Sequence, residues 1–271
     1  MAETGRTCPP VCMMAWRIHD LLDLEPQLDW IEAAGFNGAG FHAHAGVPGQ
    51  WRGLDPASCP PSERRRWRRR LARFAVLEIH APFALVLTTG TAAAVVGPLA
   101  EVLAFAGELG ARVVTVHADP PALATAVWTD ALGRLDGLAA EHGVVVGLEI
   151  TAGFAALRDV ALPNLGVTLD VGHMYHANRR PLQPYGSLGV LVREIGSALR
   201  HLHLHDVLAG RDHLETGTGE VDFAGLFAAL QGTRYSGALT LELNPDVVSP
   251  DAMRRSLDWV RAHWQQRGDA G

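Results

Sequence analysis

The sequence predicts an α/β fold in which a single (β/α)8 TIM barrel occupies residues 1–271. Two observations lead there. Eight short β-rich runs alternate with longer amphipathic stretches, and no linker-like break interrupts the alternation. The length of 271 residues is also close to the ~250 typical of such barrels.

The strands are read at Val11–Trp16, Gly38–Phe41, Val76–His80, Val113–His117, Val144–Glu149, Leu165–Asp170, His201–His205 and Gly237–Glu242. Helical periodicity fills Leu21–Ala34, Ser62–Phe74, Thr91–Leu109, Pro121–His142, Asp222–Leu230 and Pro250–Trp264. Gly110, Gly143 and Gly166 stand just before strands, where helix caps or turns belong. His42–Pro61, rich in Gly and Pro, reads as a long loop after the second strand, and long ordered loops in compact domains are often functional.

Composition narrows the chemistry. All 23 basic residues are Arg, so Schiff-base, pyridoxal-phosphate and P-loop lysine chemistry are excluded. The 13 His are an excess that points to metal binding or acid/base work. Cys8, Cys12 and Cys59 have no zinc-ribbon spacing and suit a reducing compartment. With no basic region leading into an apolar run at the N-terminus, the expected location is cytoplasmic. The longest apolar stretch, Ala84–Ala118, is broken by Gly90, Gly97, Pro98, Glu101, Glu108 and Arg112, so no membrane partner is expected. The net charge of −6 argues against nucleic acid as a partner. Arg64, Arg65, Arg66, Arg68, Arg69 and Arg70 surround Trp67 on one helix; a solvated helix face is preferred there to a phosphate-binding patch.

The informative pattern is a repeat in kind. Six strands end in an apolar–x–apolar run followed by a metal-ligand residue type: His80, His117, Glu149, Asp170, the His203/His205 pair and Glu242. Barrel strands end at the catalytic face, so these side chains converge. Buried carboxylates and imidazoles need a shared partner, which a divalent cation supplies. Glu149, Asp170, a histidine of the seventh strand and Glu242 make an oxygen-rich site suited to manganese, magnesium, cobalt or iron, with zinc also compatible. His203 and His205 share a strand face by the period of two, and either fits. His80 and His117, sharing Glu149, form a second and more zinc-like set. His173, three residues after Asp170, is placed to meet substrate or another metal. Trp16, His42, His44 and Trp51 are candidates for the pocket mouth, and Arg211 for a substrate phosphate or carboxylate or simply for the surface.

These stretches resemble the xylose isomerase-like TIM-barrel superfamily of sugar isomerases, epimerases and endonuclease IV-like enzymes. The resemblance runs through His80-Ala81-Pro82, Val114-Thr115-Val116-His117, Leu148-Glu149-Ile150-Thr151, Leu169-Asp170-Val171-Gly172-His173, His203-Leu204-His205-Asp206, Thr216–Phe223 and Tyr235-Ser236-Gly237 ahead of Leu241-Glu242. It implies a metal held by Glu149, Asp170, His203 and Glu242, which selects His203 over His205. It also implies that Glu149 and Glu242 are the catalytic acid/base pair, acting through an enediolate. A true xylose isomerase uses a lysine that this chain lacks. The resemblance to endonuclease IV extends to His80 and His117 as a second metal site and to His173 and His213 as part of a third. There Arg211 stands where an aspartate is expected, with Asp212 beside it.

The expected function is therefore that of a metal-dependent isomerase or epimerase in carbohydrate metabolism, acting on a small sugar, sugar phosphate or polyol-derived ketone. The alternative is a zinc-dependent phosphodiester or phosphoester hydrolase of endonuclease IV type. A non-catalytic ligand-binding barrel is the third reading. The expected partner is a small-molecule substrate, His205 and Trp16 join Arg211 as substrate-contact candidates, and a homo-oligomer is compatible with the sequence.

Overall fold

The structure, a computed structural model, describes residues 7–88, 90–119, 126–176 and 180–265. Eight parallel strands close into a barrel: β1 (Val11–Met14), β2 (Gly38–His42), β3 (Val76–His80), β4 (Val113–His117), β5 (Val145–Glu149), β6 (Leu165–Asp170), β7 (Leu199–Leu204) and β10 (Leu239–Leu241), the last pairing back onto β1. An antiparallel hairpin, β8 (Asp206–Leu208) and β9 (Arg211–Leu214), stands on the C-terminal end of β7. The strands are buried along nearly their whole length, as parallel strands covered by an outer helical ring must be.

The ring consists of α1 (Leu24–Ala33), α2 (Pro61–Leu71), α3 (Ala92–Leu109), α4 (Ala126–His142), α5 (Phe154–Val160), α6 (Leu188–Ile195), α7 (Phe223–Gly232) and α8 (Pro250–Gln265). The six helices expected from periodicity are present with shifted ends. Residues 121–125 of the expected Pro121–His142 helix lie outside the described residues. Leu21 is not helical, because it bridges to Ile18 and the chain is still extended at Asp23. The short helices α5 and α6 were not anticipated. Ser187 caps α6, its hydroxyl accepting from the Val190 amide at 3.3 Å. α3 is by length and composition apolar enough to cross a membrane, with a mean hydropathy of 1.6; here it is half buried and packs between α2 and α4.

Gly110 and Gly143 take φ +83° and +66°, the left-handed caps expected of them. Gly166 departs from the expectation. It lies within β6, where the Arg200 side chain and the Ala198 carbonyl leave no room for a Cβ. The arginines of α2 are largely spoken for. Arg64 pairs with Glu108, Arg66 with Glu25 and Arg70 with Asp29 and Glu32, while Arg68 donates to the Gly107 and Glu108 carbonyls. They tie α2 to its neighbours on both sides.

The barrel interior departs from the usual branched aliphatic filling. Glu78, Thr115, Thr168, His201 and Thr240 are buried polar residues that meet across its centre. Gly147 is small because the Thr168 side chain leans over it. Gly147→Ala should therefore overpack this layer and cost about 1–3 kcal/mol in denaturant unfolding; wild-type stability would show that the layer has slack.

Candidate metal centre

Each strand-end residue sits where the parallel register puts it. His80, His117, Glu149 and Asp170 are the last residues of β3, β4, β5 and β6; His203 lies near the end of β7, and Glu242 directly follows β10. Their side chains converge at the C-terminal mouth of the barrel. Among the described residues three overlapping groups stand at the mouth, each with its candidate ligand atoms within 4.8 Å of one another: His80, His117 and Glu149; Glu149, Asp170 and His203; and Asp170, His173, His205 and His213; a fourth group, Glu78, His201 and His203, lies one layer deeper. Glu149 and Asp170 are the members shared among the three at the mouth.

In the first group His80 Nε2 and His117 Nε2 lie 3.7 and 3.5 Å from Glu149 Oε2. Those gaps are long for hydrogen bonds, but they match two ligands of one tetrahedral ion, which stand about 3.3 Å apart when each is about 2.0 Å from the metal. His80 Nδ1 faces its own neighbour's carbonyl, Ala81 O, at 2.7 Å, so Nε2 is the free acceptor.

In the second group His203 Nε2 donates to Glu78 Oε1 at 2.7 Å. Its Nδ1 then faces Glu242 Oε2 at 2.9 Å and Glu149 Oε2 at 3.4 Å without hydrogen-bond geometry to either. Asp170 Oδ2 is likewise buried without a hydrogen-bond partner. Two orphaned buried ligand atoms beside further carboxylates are what a cation-binding centre looks like before its ion is counted.

His203 and His205 differ in their hydrogen bonding. His205 Nδ1 accepts from the His213 amide at 2.8 Å, and its Nε2 donates to Asp170 Oδ1 at 2.8 Å. Both nitrogens are engaged, so His205 orients Asp170, whereas His203 keeps a nitrogen open. Asp170 Oδ1 also accepts from the His173 amide at 2.8 Å.

In the third group the His205 and His213 rings stack at 4.0 Å, and His173 lies edge-on to both. Asp212 Oδ1 is 3.2 Å from His213 Nδ1, although Asp212 is not part of the cluster. Trp16 meets His213 edge-on at 5.8 Å. Arg211 is exposed on the hairpin, and its side chain makes no hydrogen bond or ion pair among the described residues. His42, the last residue of β2, stands level with His80 at the strand ends but is buried beneath Trp51 and Phe83, with neither ring nitrogen paired. Phe83, 45% exposed, covers His42, His80 and His117 and was not singled out from the sequence, although it follows the His80-Ala81-Pro82 stretch directly. Glu78 and His201 were also missed. Each lies two residues before a residue that was found, one pleat deeper on the same strand face. A cavity of about 800 Å³ opens elsewhere, between the 217–224 segment, α7 and α8, and no member of the three groups lines it.

The electrostatics agree with the geometry. Burial pushes the Glu149 carboxyl up, but the imidazoles around it, led by His117 and His173, hold it well below the usual range. Glu242 is held at about 2, burial being outweighed by the charge of His203. His173 is raised to about 10, chiefly by Asp170. For His203 burial disfavours the charged ring, yet the Glu78 and Glu242 carboxylates lift it well above the imidazole range. Without a cation, protons on His173 and His203 balance the carboxylates.

Comparison with known proteins agrees with this architecture. The family model described as xylose isomerase-like TIM barrel matches residues 28–263, and the chain belongs to that family. A ketose 3-epimerase of Arthrobacter globiformis is 30% identical over 154 residues, 52% of this chain and 49% of that protein. An L-ribulose 3-epimerase of Methylomonas sp. (strain DH-1) is 31% identical over 152 residues, 51% of this chain and 49% of that protein. The matched region thus spans about half the length of these relatives. Among solved structures, a D-allulose 3-epimerase from Methylomonas sp. superposes with a TM-score of 0.69 at 20% identity, covering 96% of this chain and 99% of that one. A xylose isomerase domain protein from Planctomyces limnophilus gives 0.71 at 18%, covering 96% and 98%.

Because the raised histidines hold protons that a cation must displace, Mn²⁺ loading should release protons, and apparent affinity should fall as pH falls. Calorimetry in two buffers of different ionisation enthalpy reads this directly. Affinity that ignores pH, with no proton release, would contradict the placement of those protons.

Proposed function

We propose that this member of the family is a divalent-metal-dependent isomerase or epimerase of a small sugar, sugar phosphate or polyol-derived ketone. The observation that carries the reading is the convergence of two carboxylates, Glu149 from β5 and Glu242 from beyond β10, on one imidazole nitrogen, His203 Nδ1. The relatives that act on ketoses support the substrate class.

Glu149, Asp170, His203 and Glu242 would hold the ion. Bound there, a divalent cation supplies Lewis-acid stabilisation of negative charge developing on substrate oxygens. Both glutamates are ionised at neutral pH, so each is competent to accept a proton. One removes a proton from the carbon beside the substrate carbonyl, and the electrons move into the enediolate. The other, having taken a proton from solvent, delivers it to the enediolate carbon and becomes a carboxylate again, while the first releases its proton to solvent, completing the isomerisation or epimerisation. Phe83 and Trp16 offer aromatic faces beside the cluster, and the half-exposed His117 and His173 mark where it meets solvent.

Glu149→Gln and Glu242→Gln should each lower kcat on a ketose substrate by about 10²–10⁴-fold while the thermal melt stays cooperative. Turnover in D₂O should place deuterium at the epimerised carbon; wild-type rates in either variant would remove that residue from the acid/base pair.

A second reading, phosphoester hydrolysis, is favoured by one observation: the His80–His117–Glu149 group adjoins the main cluster through a shared carboxylate, as a dinuclear centre requires. His80→Ala separates the two. Epimerisation should survive it within about threefold, whereas a dinuclear hydrolase should lose about 10²-fold or more, the scale of losing a metal ligand's electrostatic contribution.

A further inference from the structure

Glu78 has no place in the chemistry above, yet it is a fully enclosed carboxylate. It lies on β3, two residues before His80, with 0% of its surface exposed. Its carboxylate accepts four hydrogen bonds: from His203 Nε2 at 2.7 Å, His201 Nε2 at 2.8 Å, Thr115 Oγ1 at 2.8 Å and Thr240 Oγ1 at 2.6 Å. Four donors fill the roughly four lone-pair sites that a carboxylate offers. The donors come from β7, β4 and β10, so the carboxylate spans the barrel and fixes each partner in angle as well as distance.

From this geometry we infer that Glu78 is a positioning residue that sets which nitrogen of His203 is presented to the metal. The inference rests on the metal reading of the Glu149–Asp170–His203 cluster and deepens it. An imidazole has two nitrogens of similar basicity, and the hydrogen bond made by one decides what the other can do. With Nε2–H committed to Glu78, the Nδ1 lone pair is left toward Glu149 and Glu242, and that nitrogen is the one without a hydrogen-bond partner. The buried negative charge of Glu78 also favours positive charge, a proton or a metal ion, at the far nitrogen of the ring. His201 occupies the same carboxylate but reaches none of the strand-end carboxylates in hydrogen-bond distance. It helps anchor Glu78 without joining the cluster.

A Gln at this position has one oxygen and an NH₂ in place of two acceptors. It cannot receive four donors, and wherever its amide N–H meets His203 Nε2 it demands the opposite tautomer, with Nδ1 protonated and unable to bind metal.

The test is Mn²⁺ binding to the full chain by calorimetry, independent of any substrate. Glu78→Gln should fold and bind Mn²⁺ about 10–100-fold more weakly than wild type, the range for loss of such a partner. Thr168→Val removes a hydroxyl from the same buried layer, one hydrogen bond away from Glu78 through Thr115, and should leave Mn²⁺ affinity within about threefold. Mn²⁺ affinity of folded Glu78→Gln within threefold of wild type would overturn the inference while leaving the metal reading intact. Wild type that binds no Mn²⁺ would overturn both. If Glu78→Gln does not fold, the ¹⁵N spectrum of Zn²⁺-loaded wild type decides: His203 should show a protonated Nε2 and a bare Nδ1, and the reverse assignment overturns the inference.

Discussion

A single buried carboxylate organises the barrel from the inside. An ionised Glu in a protein interior costs several kcal/mol unless its lone pairs are met, and Glu78 is met by two imidazoles and two hydroxyls. This requirement explains why Thr115, Thr168, His201 and Thr240 occupy interior positions that barrels usually give to Val, Ile and Leu. It also explains why Gly147 has no side chain, since the Thr168 hydroxyl that reaches toward Thr115 takes up the space. His203 is common to this buried layer and to the cluster above it, so the strand-end residues inherit their geometry from the layer below.

The cluster at the mouth is built in tiers. His203 is held by Glu78, and Asp170 by His205 and the His173 amide. His205 is in turn oriented by the His213 amide at the end of the hairpin. Gly172 is part of this arrangement, because a Cβ there would collide with the His205 ring. The irregular hairpin β8–β9 thus has a specific task. It returns His213 over the barrel mouth, where its backbone fixes a second imidazole and its ring stacks on that imidazole. Phosphate or nucleic-acid recognition by the α2 arginines has less support, since Arg64, Arg66 and Arg70 are paired with carboxylates of α1 and α3.

The barrel and its mouth were legible because both rest on repetition. Parallel strands buried on both faces read as short apolar runs, and a metal-ligand residue type at six strand ends is improbable without a common site. What escaped notice depended on context instead. Helices α5 and α6 are only seven and eight residues long, too short for helical periodicity to stand out. Glu78 and His201 sit within strands and look like alternating surface residues until the barrel closes over them. His42 opens a Gly-rich segment in the sequence, but β2 extends through it and pairs it with His80, so it is buried at the strand ends rather than lying on an open loop. The preference for His203 over His205 rested partly on resemblance; the hydrogen bond that β9, eight residues downstream, makes to His205 could not be read from the sequence.

The most direct measurement is anomalous diffraction from crystals of the Mn²⁺-loaded protein. One manganese peak enclosed by Glu149, Asp170, His203 and Glu242, with His203 bound through Nδ1, is the expected result. Manganese absent from that position after saturation, or bound only at the surface, would contradict a catalytic metal centre at the end of this barrel.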